Sequence, residues 1–153
     1  MLAAHLKSKR PIPSADESDL RLEEAKILRE IVEARFKVNP NANLVVLGDL
    51  NDSKDSPSTK IIIGKGKMKL FDTRPTERNG DSREEMGHAH ESRQISWTHF
   101  FAKEDVYSRI DYILLSPGLA RRFVSEESFV LRLPNWGDAS DHCPLLVTID
   151  DAR

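Results

Sequence analysis

Three short acidic motifs hold the residues best able to do chemistry: Gly48-Asp49-Leu50-Asn51-Asp52, Ser108-Arg109-Ile110-Asp111-Tyr112 and Ala139-Ser140-Asp141-His142-Cys143-Pro144. In the first, a carboxylate and a carboxamide at positions i and i+2 of a strand end point the same way. Asp49 can then hold a hard cation or its water while Asn51 donates to a phosphate oxygen. Gly48 removes side-chain bulk where a substrate backbone could approach. The plainer alternative is a strand-end turn, which Asp and Asn also favour. In the second motif, an acid inside an apolar run is costly unless paired, so Asp111 is either functional or a structural acid satisfied by backbone or by Arg109. In the third, one of two adjacent side chains can contact a metal or phosphate while the imidazole exchanges protons with water. A carboxylate on the far ring nitrogen of His142 would fix its tautomer, and Asp111 is the natural candidate.

The elements that must position these residues follow from periodicity. Leu2 to Leu6 is short and apolar, a candidate strand, and the Pro11–Pro13 loop follows it. Ser14 with Glu17 fits a capping box. Beyond it, Leu20, Ile27, Leu28, Ile31 and Ala34 line one stripe of an amphipathic helix that Asn39-Pro40 stops. Leu44 to Leu47 is apolar at consecutive positions, as expected of a strand buried on both faces. Ile95 to Phe101, Ile110 to Leu115, Ser128 to Leu133 and Leu145 to Ile149 read as further strands. From Asp72 to Ile95 runs a polar stretch with Pro75 and Asn79-Gly80, read as an exposed loop long enough to serve in binding. The sum is a layered α/β (α+β) domain with no obvious linker.

Composition narrows the class. The chain has 153 residues, 39% of them hydrophobic, enough for one domain with a real core. No apolar run approaches the roughly 18 residues of a bilayer span, so no membrane span is expected. Met1 to Ala4 is followed at once by His5 and a basic run, the wrong order for a secretory signal; none is expected, and the default compartment is the cytoplasm. Cys143 is the one cysteine, which excludes an internal disulfide. A formal charge of -2 gives no global attraction to nucleic acid, so such binding needs a local patch.

Lys60, Lys65, Lys67, Lys69, Arg74 and Arg78 make one such patch, or else a solvated helix-and-loop face. Gly64-Lys65-Gly66-Lys67 lacks the spacing of a phosphate-binding loop. His88, His90 and His99 invite a zinc reading, but with no cysteine nearby they read as surface histidines. Trp97, Phe100 and Phe101 read as core and strand packing. Trp136 is either a packed loop anchor or a cleft-lining residue, and Cys143 reads as buried filler.

The motifs GDLND, RIDYILL and SDHCP, in that order, resemble the C-terminal motifs of the endonuclease/exonuclease/phosphatase superfamily, which has a deoxyribonuclease I-like fold. Ala4-His5-Leu6-Lys7-Ser8-Lys9 resembles the family strand with a catalytic histidine, and Ser96-Trp97-Thr98 the polar-aromatic strand before the DY segment. The resemblance runs from about His5 to Ile149. It implies part of a four-layer α/β sandwich and a metal-dependent phosphodiester hydrolase, a nuclease on DNA or RNA. The alternative substrate is a phospholipid or a phosphorylated small molecule. It implies that His5 acts as or assists the general acid, and that Asp49 and Asn51 contact the phosphate and position metal or nucleophile. Asp111 would orient His142, Asp141 would be metal-linked, and His142 would activate water or stabilise the pentavalent transition state. The implied catalytic set is His5, Asp49, Asn51, Asp111 and His142. The implied metal set is Asp49, Asn51 and Asp141, with Mg²⁺ as cofactor and Mn²⁺ or Ca²⁺ as alternatives.

In one respect the sequence departs from the family pattern. Members carry an Asn and a metal-binding Glu on early strands, and only four residues precede His5. Residues 1–153 therefore read as the C-terminal portion of the domain, without its N-terminal half. The expectation is weak stability or self-association and poor metal affinity; the alternative from another class is an inactive fragment that needs a partner chain carrying the missing half. Unpaired sheet edges would be the physical cause.

Overall fold

Three sheets and one long helix organise the protein in the computed structural model, which describes residues 1–77 and 95–151. Strands β1 (Leu2–Ala3), β2 (Val45–Asp49) and β3 (Phe71–Asp72) belong to the first sheet. The fourth member is β7 (Asp111–Leu115), and the order is β1-β2-β7-β3. Here β1 runs parallel to β2, while β7 runs antiparallel to both β2 and β3. A second sheet holds β4 (Thr76–Glu77), β8 (Phe123–Val130) and β9 (Leu145–Ile149) in that order. Strands β5 (His99–Phe101) and β6 (Val106–Ser108) form a two-stranded ribbon. Among the described residues the α-helices are α1 (Glu17–Val38), α2 (Pro57–Ile63) and the short α3 (Pro117–Ala120). None of the described helices is long and apolar enough to cross a membrane.

The mixed α/β class expected from the pattern is what the protein adopts, with local differences. Helix α1 is capped by Asp16, whose carboxylate accepts from the Ser18 N–H, so the Ser14–Glu17 box does not form. Its buried face is Arg21, Ala25, Leu28, Arg29, Val32 and Phe36. Ile27, at 59% exposure, and Ile31 lie outside that face. The apolar stripe read from the sequence is therefore rotated, because two arginines occupy core-facing positions that hydrophobicity alone rejects. Both are paired. Arg29 donates to the Ile62, Ile63 and Met68 carbonyls, closing the C-terminus of α2. Gly64 follows with φ +72°, and a Cβ there would strike the Arg29 guanidinium.

Side chains alternate across β2 and β7. Val46, Tyr112 and Leu114 face the main core with Leu28, Val32, Phe36, Ile62 and Leu70. Val45 and Leu47 are only half-buried, so β2 is not buried on both faces. The strand boundaries also differ. Leu2–Leu6 reduces to Leu2–Ala3 and Ile95–Phe101 to His99–Phe101, while β8 begins at Phe123 rather than Ser128. Leu145–Ile149 stands as expected. Phe101 is exposed rather than packed, whereas Trp97 packs edge-on against Tyr107 and beneath Arg132. The long polar loop falls mostly on residues 78–94, which lie outside the described residues, as do Arg78, His88 and His90.

Candidate active site

The alternation that sends Val46 and Tyr112 into the core sends Asp49 and Asp111 to the opposite face. They are direct cross-strand partners in the β2–β7 register. Two like charges set opposite each other on a sheet are destabilising unless something else intervenes. Here His142 does. Its Nδ1 lies 2.9 Å from Asp111 Oδ2 and its Nε2 lies 3.9 Å from Asp49 Oδ2. Each of Asp49, Asp111 and His142 offers a ligand atom, all within 4.8 Å of one another.

Every member of this group is held from behind. Thr98, fully buried, donates through Oγ1 to Asp111 Oδ2 at 2.7 Å and accepts from the Ile110 and Asp111 backbone N–H groups. The Asp111 carboxylate thus has one oxygen occupied by Thr98 and His142 together. Backbone bonds from Phe100 N to Asp141 O (2.9 Å) and from Cys143 N to Thr98 O (2.7 Å) tie the SDHCP segment to β5. Trp136 donates from its indole to the His142 carbonyl, which makes it a loop anchor beneath the histidine. Cys143 is buried, and its thiol is pushed up by that burial, as befits filler rather than a nucleophile.

Asp49 and Asn51 form the other wall. Asn51 adopts φ +53°, a left-handed conformation that Asn tolerates better than most residues. From there its backbone N–H donates to Asp49 Oδ1 at 2.8 Å. Its carboxamide donates to Asp49 Oδ2 (3.1 Å) and to the Leu6 carbonyl (2.9 Å). Both amide hydrogens are therefore engaged within the protein: Asn51 aims Asp49 rather than presenting free donors to a phosphate. Gly48 also has a different role from the one its position suggested. It sits at φ +131°, and a Cβ would fall 1.9 Å from the Ala4 carbonyl oxygen, so the backbone that approaches it is the protein's own. That close crossing, with Leu6 N bonded to Asp49 O, places His5 at the rim. Its Nε2 is 3.6 Å from Asp49 Oδ2 and its side chain is 74% exposed.

Charge in the pocket is unbalanced. Burial pushes the Asp49 carboxyl above its ordinary value, the Asn51 N–H pulls it down, and the facing Asp111 pushes it up again. Among the described residues, neither Asp49 nor Asp111 has a Lys or Arg ion partner; the histidines are all they have. Arg109, the structural partner considered for Asp111, pairs instead with Asp72 and covers the Tyr112 ring at 4.3 Å. Asp141 takes a different direction from Asp49 and Asn51. Its carboxylate, 64% exposed, lies 3.5 Å from His99 Nε2. His99, read from sequence as a surface histidine, is in fact half-buried, with ring centroids 4.7 Å from His142. The signal that could have found it is its place directly after Trp97-Thr98, on the strand already picked out beside the DY segment.

Residues 8–142 match the Endonuclease/Exonuclease/phosphatase family, and the chain belongs to it. Family members are hydrolases, and membership points to phosphodiester hydrolysis of the nuclease type. His5 lies just outside the matched span. No curated protein matches the chain.

Proposed function

We propose that this protein is a metal-dependent phosphodiester hydrolase that cleaves nucleic acid, with His142 as the proton-exchanging group. The observation that carries the reading is the cross-strand pair Asp49–Asp111, bridged by one imidazole and matched by no basic side chain among the described residues. Two facing carboxylates on fixed strands fit a hard divalent cation of the Mg²⁺ kind, which prefers oxygen donors. Asp49 would hold it, with Asp111 nearby, and when bound it would spread the charge on the phosphoryl oxygens.

The chain's own residues account for the rest. Asp111, fixed by Thr98, holds His142 through Nδ1 and leaves Nε2 to take a proton from water or steady the developing charge. Asn51 aims Asp49, and its N–H opposes the upward push of burial on that carboxyl. His5, exposed at the rim and near Asp49, would hand a proton to the leaving oxygen. The exposed lysines Lys60, Lys65, Lys67 and Lys69 supply the local positive charge that a net acidic chain needs to attract a polyanion.

The test is cleavage of plasmid DNA, single-stranded RNA and a phospholipid panel, each with Mg²⁺ and with chelator. Metal-dependent cleavage of nucleic acid that His142→Ala abolishes is the expected result. Turnover of phospholipid alone would move the reading to the alternative substrate. No turnover above His142→Ala on any substrate would sink it.

A further inference from the structure

The geometry points to a second cation site beside the first, built for a nitrogen-preferring ion of the zinc class from His99, Asp141 and His142. We infer this from donor chemistry and from how firmly the two imidazoles are oriented. One ligand atom from each of the three residues lies within 4.8 Å of the other two. Both imidazoles have Nδ1 occupied: that of His99 lies 3.1 Å from Ser108 Oγ, and that of His142 2.9 Å from Asp111 Oδ2. A histidine ligand ordinarily has its second ring nitrogen held in this way, which fixes the tautomer and frees the other nitrogen to coordinate. With Nδ1 engaged by Ser108, His99 turns Nε2 toward the Asp141 carboxylate 3.5 Å away. An imidazole nitrogen and a carboxylate oxygen at that distance are two donor atoms that one ion can bridge.

The backbone makes this arrangement rigid. His99 and His142 form an isolated antiparallel bridge, flanked by the Phe100 N to Asp141 O and Cys143 N to Thr98 O bonds. Both histidines and Asp141 thus stand on one ladder, so little conformational freedom is lost on binding. The donor set also separates this site from its neighbour. Two imidazoles and one carboxylate leave an open position and suit Zn²⁺, Co²⁺ or Ni²⁺. The Asp49–Asp111 pair offers oxygen and suits Mg²⁺. His142 is common to both groups, so an ion held through its Nε2 removes that nitrogen from proton exchange. Zinc would then inhibit Mg²⁺-supported hydrolysis. That consequence rests on the proposed function, whereas the binding itself does not.

The experiment is a Co²⁺ titration of the purified chain followed by visible absorption, then displacement by Zn²⁺ and by millimolar Mg²⁺. Zn²⁺ affinity is measured by competition with a chromophoric chelator. The wild-type chain should show the d–d bands of low-coordinate Co²⁺ with nitrogen and oxygen ligands, lost on adding Zn²⁺ and kept in Mg²⁺. His99→Gln and Asp141→Asn should each weaken Zn²⁺ binding by about tenfold or more. Asp141 is exposed, so Asp141→Asn leaves the fold intact and decides the matter if His99→Gln unfolds. Equal Zn²⁺ affinity in wild type and Asp141→Asn would overturn the proposal. So would a thiolate-to-cobalt charge-transfer band, which would place the ion on Cys143. Absence of Mg²⁺-supported hydrolysis by the wild-type chain, with the binding difference between it and Asp141→Asn intact, would overturn the proposed function and leave the zinc site standing.

Discussion

Asp49 and Asp52 stand three residues apart where β2 leaves the sheet, and the protein treats them in opposite ways. Asp52 is surrounded by compensation. Arg21, buried on α1, donates from Nε to its Oδ2 at 3.1 Å, Ser58 donates to the same oxygen at 2.8 Å, and Lys9 lies 4.0 Å away. Burial alone would raise its pKa, but the bonds from Ser58 and Arg21 outweigh it and hold the carboxyl below its ordinary range. Asp49, buried to a similar degree, faces another carboxylate and among the described residues has only histidines as ion partners, so burial and the facing charge outweigh the Asn51 bond and its carboxyl is raised. One acid is a fastener between helix and sheet. The other is kept short of positive charge by its surroundings, and a protein tolerates that where an incoming cation completes the balance.

The widest way to break this comparison is to neutralise each acid in turn. Asp49→Asn should lower kcat/KM on nucleic acid by about 10²–10⁴, whereas Asp52→Asn should change it by less than about tenfold. Steady-state kinetics under saturating Mg²⁺ separate the two outcomes. Comparable losses would mean that Asp52 belongs to the reacting group after all.

Stability should rank them the other way. Removing the partner of a buried ion pair strands the remaining charge, so Arg21→Met should cost about 3 kcal/mol in urea unfolding. Arg21 also donates to the Lys7 carbonyl at 2.9 Å, so the segment that carries His5 should loosen with it. A change below about 1 kcal/mol would show that Asp52 finds other partners and that the Arg21 contact is incidental.

Much of this contrast was legible before the structure, though unevenly. GDLND, RIDYILL and SDHCP announced themselves because strand-end acids, an acid in an apolar run and an Asp-His step each demand explanation. The pairing of Asp111 with the far nitrogen of His142 was one chemical option beside a structural pairing with backbone or Arg109, and the structure has the former. The Asp52 fastener did not, because Arg21 belongs to α1 and an arginine on a core-facing helix position reads as solvent-exposed. His99 was missed for a related reason. Its surroundings come from Ser108 across a ribbon and from Asp141 on a distant segment, and no local pattern encodes either. The two- and three-residue strands β3, β4 and β6 owe their existence to the partners they meet, so periodicity could not define them. The direction of Asp141 was hidden for the same reason: its carboxylate meets His99, which lies far from it in sequence.

The finest test of the comparison lies in pH. Asp52 has its folded pKa depressed, so its contribution to stability is present above the unfolded value of 3.8 and is lost as pH falls through the folded value. The stability difference between wild type and Asp52→Asn should therefore be largest near neutrality and shrink in acid. Asp49 has its folded pKa raised above 3.8, so the sign reverses. What its protonated form contributes is fully present below the unfolded value and is lost as pH rises through the folded one. At neutral pH the ionised Asp49 weighs against the fold, and Asp49→Asn should gain up to about 1 kcal/mol by removing first the burial of its charge and then the repulsion from Asp111. That gain should fade as the pH drops toward the unfolded value. Urea unfolding of both variants across the acid range reads the two slopes directly, and slopes of the same sign would remove the physical distinction between fastener and reactive acid.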